Sequence, residues 1–87
     1  MRPKALVTGA SRGIGKAIAY MLAEEEYDLY LVCRYSEKEI NEIRNDLISQ
    51  RGISCNVYLC DVSDADAVKA LCKEIGEVDV LINNAAV

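Results

Sequence analysis

The sequence predicts an α/β fold, a parallel sheet of four strands with three helices. Three observations predict it. Short apolar runs alternate with segments whose apolar residues recur at helical spacing. The connections between successive runs are too long for hairpins, so helical crossovers must join the strands and leave them parallel. The first run, Ala5-Leu6-Val7, leads through the glycine-rich turn Thr8-Gly9-Ala10-Ser11-Arg12-Gly13-Ile14-Gly15 straight into a helical pattern. With 87 residues the chain makes one domain. Right-handed crossovers then give the spatial order third, second, first, fourth strand.

The first strand is expected at about residues 4–8 and the first helix at about 13–25, with Ile14, Ala17, Ile18, Met21 and Leu22 as its apolar stripe. That helix closes on Glu24-Glu25-Glu26. Acids there oppose the macrodipole, at roughly 0.3–1 kcal/mol each when close. The second strand, residues 28–33, is nearly continuous apolar, as a strand buried on both faces should be. Ser36, with Glu39 three residues on, predicts a capping box for the second helix. Its inner face is Ile40, Ile43, Leu47 and Ile48, and Gly52 stops it. The third strand follows at about 54–60. Ser63 is expected to cap the third helix, with Val68, Leu71, Cys72 and Ile75 inside and Gly76 at its end. The fourth strand is expected at 78–83. It is apolar and free of Lys or Pro, the usual protections of a sheet edge. Self-association into a homo-oligomer, recruitment of a partner, or a partly molten state is the expected outcome.

A net charge of −4 argues against nucleic acid as a general partner. No apolar run reaches membrane-spanning length, and Met1-Arg2-Pro3-Lys4 leads into a strand rather than a signal peptide. The expected compartment is the cytoplasm, with no membrane partner. The cysteines Cys33, Cys55, Cys60 and Cys72 form no Cys-x-x-Cys pair, and without histidine the usual zinc sets are incomplete, so no metal site is expected. They read as reduced, mostly buried small hydrophobes; the alternative is a redox pair between Cys33 and Cys60 at two strand ends.

In this topology a ligand sits outside the carboxyl ends of the strands, where the strand order reverses between first and fourth. Four loops converge there: the turn 9–15, Cys33-Arg34, Asp61-Val62 and Asn83-Asn84. A glycine turn opening a helix presents backbone N–H groups and a partial positive charge, which suits a pyrophosphate. Gly9 permits the sharp exit from the strand, Gly13 lets backbone approach the phosphates, and Gly15 lets the helix pack closely on the sheet. Arg34 and Arg12 on an otherwise acidic chain make a local anion site.

The spacing Gly-x-x-x-Gly-x-Gly after Thr8, with Asp61-Val62 and Asn83-Asn84-Ala85-Ala86, resembles the short-chain dehydrogenase/reductase family. The resemblance covers the whole chain, while the chain corresponds to the family's first part only. It implies a Rossmann-like sheet truncated before the catalytic segment. It also implies a dinucleotide bound through Gly9, Ser11, Arg12, Gly13, Ile14 and Gly15. Cys33 stands where NAD-preferring members carry an acid, and Arg34 follows, which implies NADP(H). The family's Asp, here Asp61 beside Val62, accepts a hydrogen bond from the adenine amino group. Asn83 and Asn84, as two buried amides at a strand end, would tie neighbouring strands and the adenosine ribose together, with Asn84 and Ala85 by the cofactor. Two positions depart from the pattern: Ala86 and Glu26 stand where the family usually has glycine. If the backbone needs positive φ at Ala86, alanine costs about 1 kcal/mol.

Family catalysis uses a Tyr-x-x-x-Lys pair and a Ser, both later in the chain. Tyr20, Tyr27, Tyr30, Tyr35 and Tyr58 are followed four residues on by Glu24, Leu31, Arg34, Glu39 and Val62. No catalytic residue is therefore expected here. The resemblance implies the cofactor-binding part of an NADP-dependent oxidoreductase acting on a carbonyl or alcohol. The alternative is a stand-alone nucleotide-binding or interaction module without catalysis.

Overall fold

In the computed structural model, which describes residues 2–84, strands and helices alternate. They are β1 (Lys4–Thr8), α1 (Gly13–Glu24), β2 (Asp28–Cys33), α2 (Glu37–Arg51), β3 (Cys55–Leu59), α3 (Ala65–Ile75) and β4 (Val80–Ile82). All three strand pairings are parallel, and the order is β3-β2-β1-β4, as the crossover rules require. Val7 pairs with Leu31 on one side and Ile82 on the other. Partners in register share a face, so side chains alternate between two cores. Ala5, Val7, Leu29, Leu31 and Cys55 pack with α1 and α2. Leu6, Val32 and Cys60 pack with Ile75 of α3, flanked by Tyr30 and Tyr58.

The buried face of α1 is not the expected stripe. Gly15, Ala19 and Ala23 are buried, one above the other at intervals of four, while Ile14 is 71% and Met21 55% exposed. Small residues bring this helix close to the sheet, and Ile18 and Leu22 fill the flanks. On α2, Ile40, Ile43 and Leu47 are buried as expected, but Ile48 is turned outward. On α3, Ile75 is buried and Val68 and Leu71 are half-buried, whereas Cys72 lies outside the stripe and is exposed.

The caps depart from expectation for identifiable reasons. Ser36 makes no side-chain cap. Its backbone N–H donates to the Cys33 sulfur, so the amide that Glu39 would reach in a capping box is already taken. The cap of α3 is Asp64 rather than Ser63: Asp64 Oδ1 accepts from the amides of Asp66 at 3.1 Å and Ala67 at 3.2 Å. The end of α1 is a complete Schellman closure. Tyr27 N–H reaches the Leu22 carbonyl and Glu26 N–H that of Ala23, with Glu26 itself left-handed at φ 63°. The conformation that a glycine would supply is thus taken by a glutamate.

The described part of β4 is shorter than the apolar run. Its entry is clipped to β1 by reciprocal bonds: Asp79 N–H to the Lys4 carbonyl, and Lys4 N–H to the Asp79 carboxylate, each 2.8 Å. Val80 and Ile82 are half-buried, and Leu81, beside Leu6 on the α3 face, is 62% exposed. Among the described residues β4 pairs with β1 alone. The four cysteines are free: Cys33, Cys55 and Cys60 are buried as expected, and Cys72 is not. Among the described residues no helix is long and apolar enough to cross a membrane, and no cluster of His, Cys, Asp or Glu could hold a metal.

Candidate functional site

Three loops and the chain after β4 enclose an open crevice of about 440 Å³ at the carboxyl ends of the strands. The glycine turn contributes Gly9, Ser11 and Arg12. The segment after β2 contributes Cys33, Arg34, Tyr35 and Ser36. Cys60, Asp61, Val62 and Ser63 follow β3, and Asn84 follows β4. Of the residues expected to form one site, Gly9, Ser11, Arg12, Arg34, Asp61, Val62 and Asn84 therefore meet. Gly13, Ile14 and Gly15 do not line the crevice. Gly13 and Ile14 open α1 and are exposed, and Gly15 is buried under the turn. Ala85 and Ala86 lie outside the described residues.

The floor is built from residues far apart in sequence, in the glycine turn and after β4. A Cβ on Gly15 would stand 2.1 Å from the Gly9 carbonyl oxygen and 2.7 Å from Asn84 Nδ2. The close approach that demands glycine is thus to the turn and to Asn84, more than to the sheet as a whole. Asn84 donates its backbone N–H to Thr8 Oγ1 at 2.9 Å and its side-chain amide to the Gly9 carbonyl at 3.4 Å. Thr8 Oγ1 is also 3.3 Å from Asn83 Oδ1 and 3.4 Å from the Ile82 carbonyl, as donor. The expected tie between neighbouring strands is present. Only Asn84 is partly buried, however; Asn83 is exposed. Thr8 carries this arrangement, and sequence reasoning gave it no role; its place at the end of an apolar strand was the available signal.

The rim carries charge. Unlike α3, α1 starts without a side-chain cap and without an acid in its first turn. A helix start of this kind suits an external anionic acceptor. A Cβ on Gly13 would meet nothing within 4 Å, so the approach to this end is open. Across the crevice, Arg34 Nη2 lies 3.0 Å from Asp61 Oδ2, and the guanidinium sits 4.8 Å from the centre of the Tyr35 ring. Asp61 Oδ1 accepts from Ser63 Oγ at 2.6 Å and Ser63 N–H at 3.0 Å. These Ser63 bonds, and then the Arg34 charge, hold the Asp61 carboxyl below the usual carboxylate range. Behind them, burial pushes the Cys33 thiol up, although the Ser36 amide and the Ser11 hydroxyl both bond its sulfur. Cys33 thereby joins the glycine turn to the loop after β2. Tyr35 and Ser63 hold charge here, which the sequence does not signal; Ser63 bonds Asp61 while the cap falls one residue on, at Asp64.

A parallel sheet in this order, with an uncapped helix at a glycine turn beside its reversal point, defines the Rossmann-like class of α/β proteins. Within that class the model of the short chain dehydrogenase family matches residues 3–87, and the chain belongs to this family. It is 45% identical over 91 aligned positions to the 3-oxoacyl-[acyl-carrier-protein] reductase FabG of Staphylococcus aureus, matching 100% of this chain and 37% of that protein. It is 34% identical to human short-chain dehydrogenase/reductase 3, over 99% of this chain and 30% of that one. Among solved structures, a metagenomic short-chain oxidoreductase in complex with NADP superposes with a TM-score of 0.89 at 36% identity, covering 98% of this chain and 39% of its own. The alcohol dehydrogenase of Thermococcus sibiricus complexed with 5-hydroxy-NADP gives 0.83 at 38%, over 93% and 36%. The chain therefore spans 30–39% of the length of these relatives.

Proposed function

We propose that this chain is the cofactor-binding portion of an NADP(H)-dependent oxidoreductase acting on a carbonyl or alcohol, in the cytoplasm and as a homo-oligomer. The observation that carries the reading is Arg34. It stands directly after β2, in the same crevice as the glycine turn, with Cys33 where an acid would otherwise face a ribose 2′-hydroxyl. The residues present fit a dinucleotide. The turn from Gly9 to Gly15 and the start of α1, which has no side-chain cap from Arg12, suit the pyrophosphate. Arg34, with Arg12, suits a 2′-phosphate. Asp61 and Val62 suit the adenine, and Asn84 with Ala85 the adenosine ribose.

When bound, the nicotinamide would supply or accept the hydride. The residues here bind and orient it. None of the five tyrosines has a lysine four residues on, so no positioned proton donor for an alkoxide is found among them. We place that donor in the part of the relatives' length that this chain does not span. The 87 residues alone are expected to bind cofactor without reducing a ketone.

Titration with NADPH and NADH, followed by nucleotide fluorescence, tests the reading. NADPH is expected to bind more tightly. Arg34→Ala should remove charge-assisted hydrogen bonds worth about 1.5–3 kcal/mol from NADPH and little from NADH. Equal losses for the two cofactors, or no loss for NADPH, would show that Arg34 does not read the phosphate.

A further inference from the structure

The crevice holds one contact that the proposed reading does not use. The arginine assigned to the 2′-phosphate is already paired with the carboxylate assigned to the adenine: Arg34 Nη2 and Asp61 Oδ2 are 3.0 Å apart. The two partners are held very differently. Asp61 is fixed, because its other oxygen accepts both the Ser63 hydroxyl and the Ser63 amide. Arg34 is held loosely: its side chain is 56% exposed and rests on the Tyr35 ring. The carboxylate therefore stays in place, and the guanidinium is the group that can change partner. Its planar fork can turn about the ring without giving up the cation–π contact.

We propose that Asp61 determines cofactor specificity as well as contacting adenine, by competing with the 2′-phosphate for Arg34. This rests on the nucleotide reading above. With a ligand that carries a 2′-hydroxyl, Arg34 remains on Asp61. With a 2′-phosphate, a group of about two negative charges and three acceptor oxygens displaces a single carboxylate oxygen. An exposed ion pair is weak, so the exchange lowers phosphate affinity by a small factor and does not block it. An aspartate is ionised at neutral pH, and the Ser63 bonds and the Arg34 charge lower its pKa further, so the competition operates under ordinary conditions.

The test measures dissociation constants of NADP and NAD for the intact protein, Asp61→Asn, Arg34→Ala and the double variant by calorimetry. Loss of an adenine contact falls on both ligands and cancels in the NADP-over-NAD ratio. Asp61→Asn should raise that ratio about two- to five-fold, the size of an exposed ion pair. In the Arg34→Ala background the same change should leave the ratio where it was. An unchanged or lowered ratio in Asp61→Asn overturns the inference, since Asp61 would then be indifferent or would position Arg34. An equal rise in both backgrounds also overturns it, because the carboxylate would be repelling the phosphate directly. A wild-type protein that binds neither ligand defeats the nucleotide reading, and this inference with it. Selective NADP binding with an unresponsive ratio defeats this inference alone. Should Asp61→Asn not fold, the Arg34 Nε–Hε signal of the wild-type protein decides by NMR: it should move on addition of NADP and stay with NAD. The same shift with both ligands overturns the exchange.

Discussion

Glu26 is the residue most at odds with its backbone. It is the one non-glycine residue with positive φ among the described residues, at 63°. A side chain in the left-handed region costs about 1–2 kcal/mol, and here it also adds a third acid to the negative end of α1. The fold tolerates it because the Schellman bonds from Glu26 and Tyr27 satisfy the last carbonyls, and Leu22 and Tyr27 pack on the core beneath them. Glu26→Gly is expected to raise stability in urea unfolding by about 1 kcal/mol, the strain relieved less the added freedom of the unfolded chain. Sequence reasoning noted the missing glycine without a physical account of it; a dihedral angle is not written in a residue's identity. The same limit applies to the crevice. That Arg34 and Asp61 belong to one site was legible from the strand ends. That they bind each other was not, because it depends on where two flexible side chains point.

Between elements, the decisive contact is Tyr20 of α1 with Asp46 of α2. The Tyr20 hydroxyl donates to Asp46 Oδ2 at 2.6 Å. That bond, then burial, then the carboxylate's charge push the Tyr20 hydroxyl up to about 12 from 10.0. A value raised in the folded state means that the bond's contribution is whole below pH 10 and is lost as pH climbs through about 12. Tyr20→Phe should therefore cost about 1–2 kcal/mol at neutral pH and remove the late step from a tyrosine absorbance titration. A variant as stable as the parent would show that the two helices are held by packing alone. Helix positions were legible from periodicity; the burial of α1 was not. Periodicity ranks residues by hydrophobicity, and it passed over Ala19 and Ala23, which are buried because they are small; close packing at Gly15 was legible from the glycine turn instead. The caps slipped for a related reason. Ser36 and Ser63 are good capping residues, but the Ser36 amide is held on the Cys33 sulfur and Ser63 is turned onto Asp61, which leaves Asp64 at the cap of α3.

At the scale of the whole molecule the sheet is asymmetric. The α1–α2 face is well covered, while α3 leaves Leu81 of β4 62% exposed beside an edge. Burying such a side chain is worth about 1.5–3 kcal/mol. That is a large share of what one small core supplies. The 87-residue chain should therefore sediment as more than a monomer at micromolar concentration, and Leu81→Lys should shift it towards the monomer. A monomer in both would sink the proposal of self-association through this strand. Strand order was fully legible, since handedness leaves few arrangements; the uneven cover of the faces depends on how far each helix reaches, which periodicity does not encode.

Thr8 and Asn84 are 76 residues apart in sequence, yet their bond closes the crevice floor. A chain that has formed only β1, α1 and β2 has its glycine turn but nothing beneath it. Closing so long a loop costs more chain entropy than pairing neighbouring elements, so this bond is expected to form late. Nucleotide binding is then a test of completeness: a half-assembled chain offers no seat, and by mass action occupancy drains the incomplete population into the finished one. With NADP at a hundred times its Kd, the folded state should gain about 2.7 kcal/mol, read as a higher unfolding midpoint. Thr8→Val, which removes the oxygen that Asn84 seeks, should shrink that gain as well as the starting stability. Strands β1 and β4 would then act as the two halves of a clasp, with the cofactor as the object that keeps it shut.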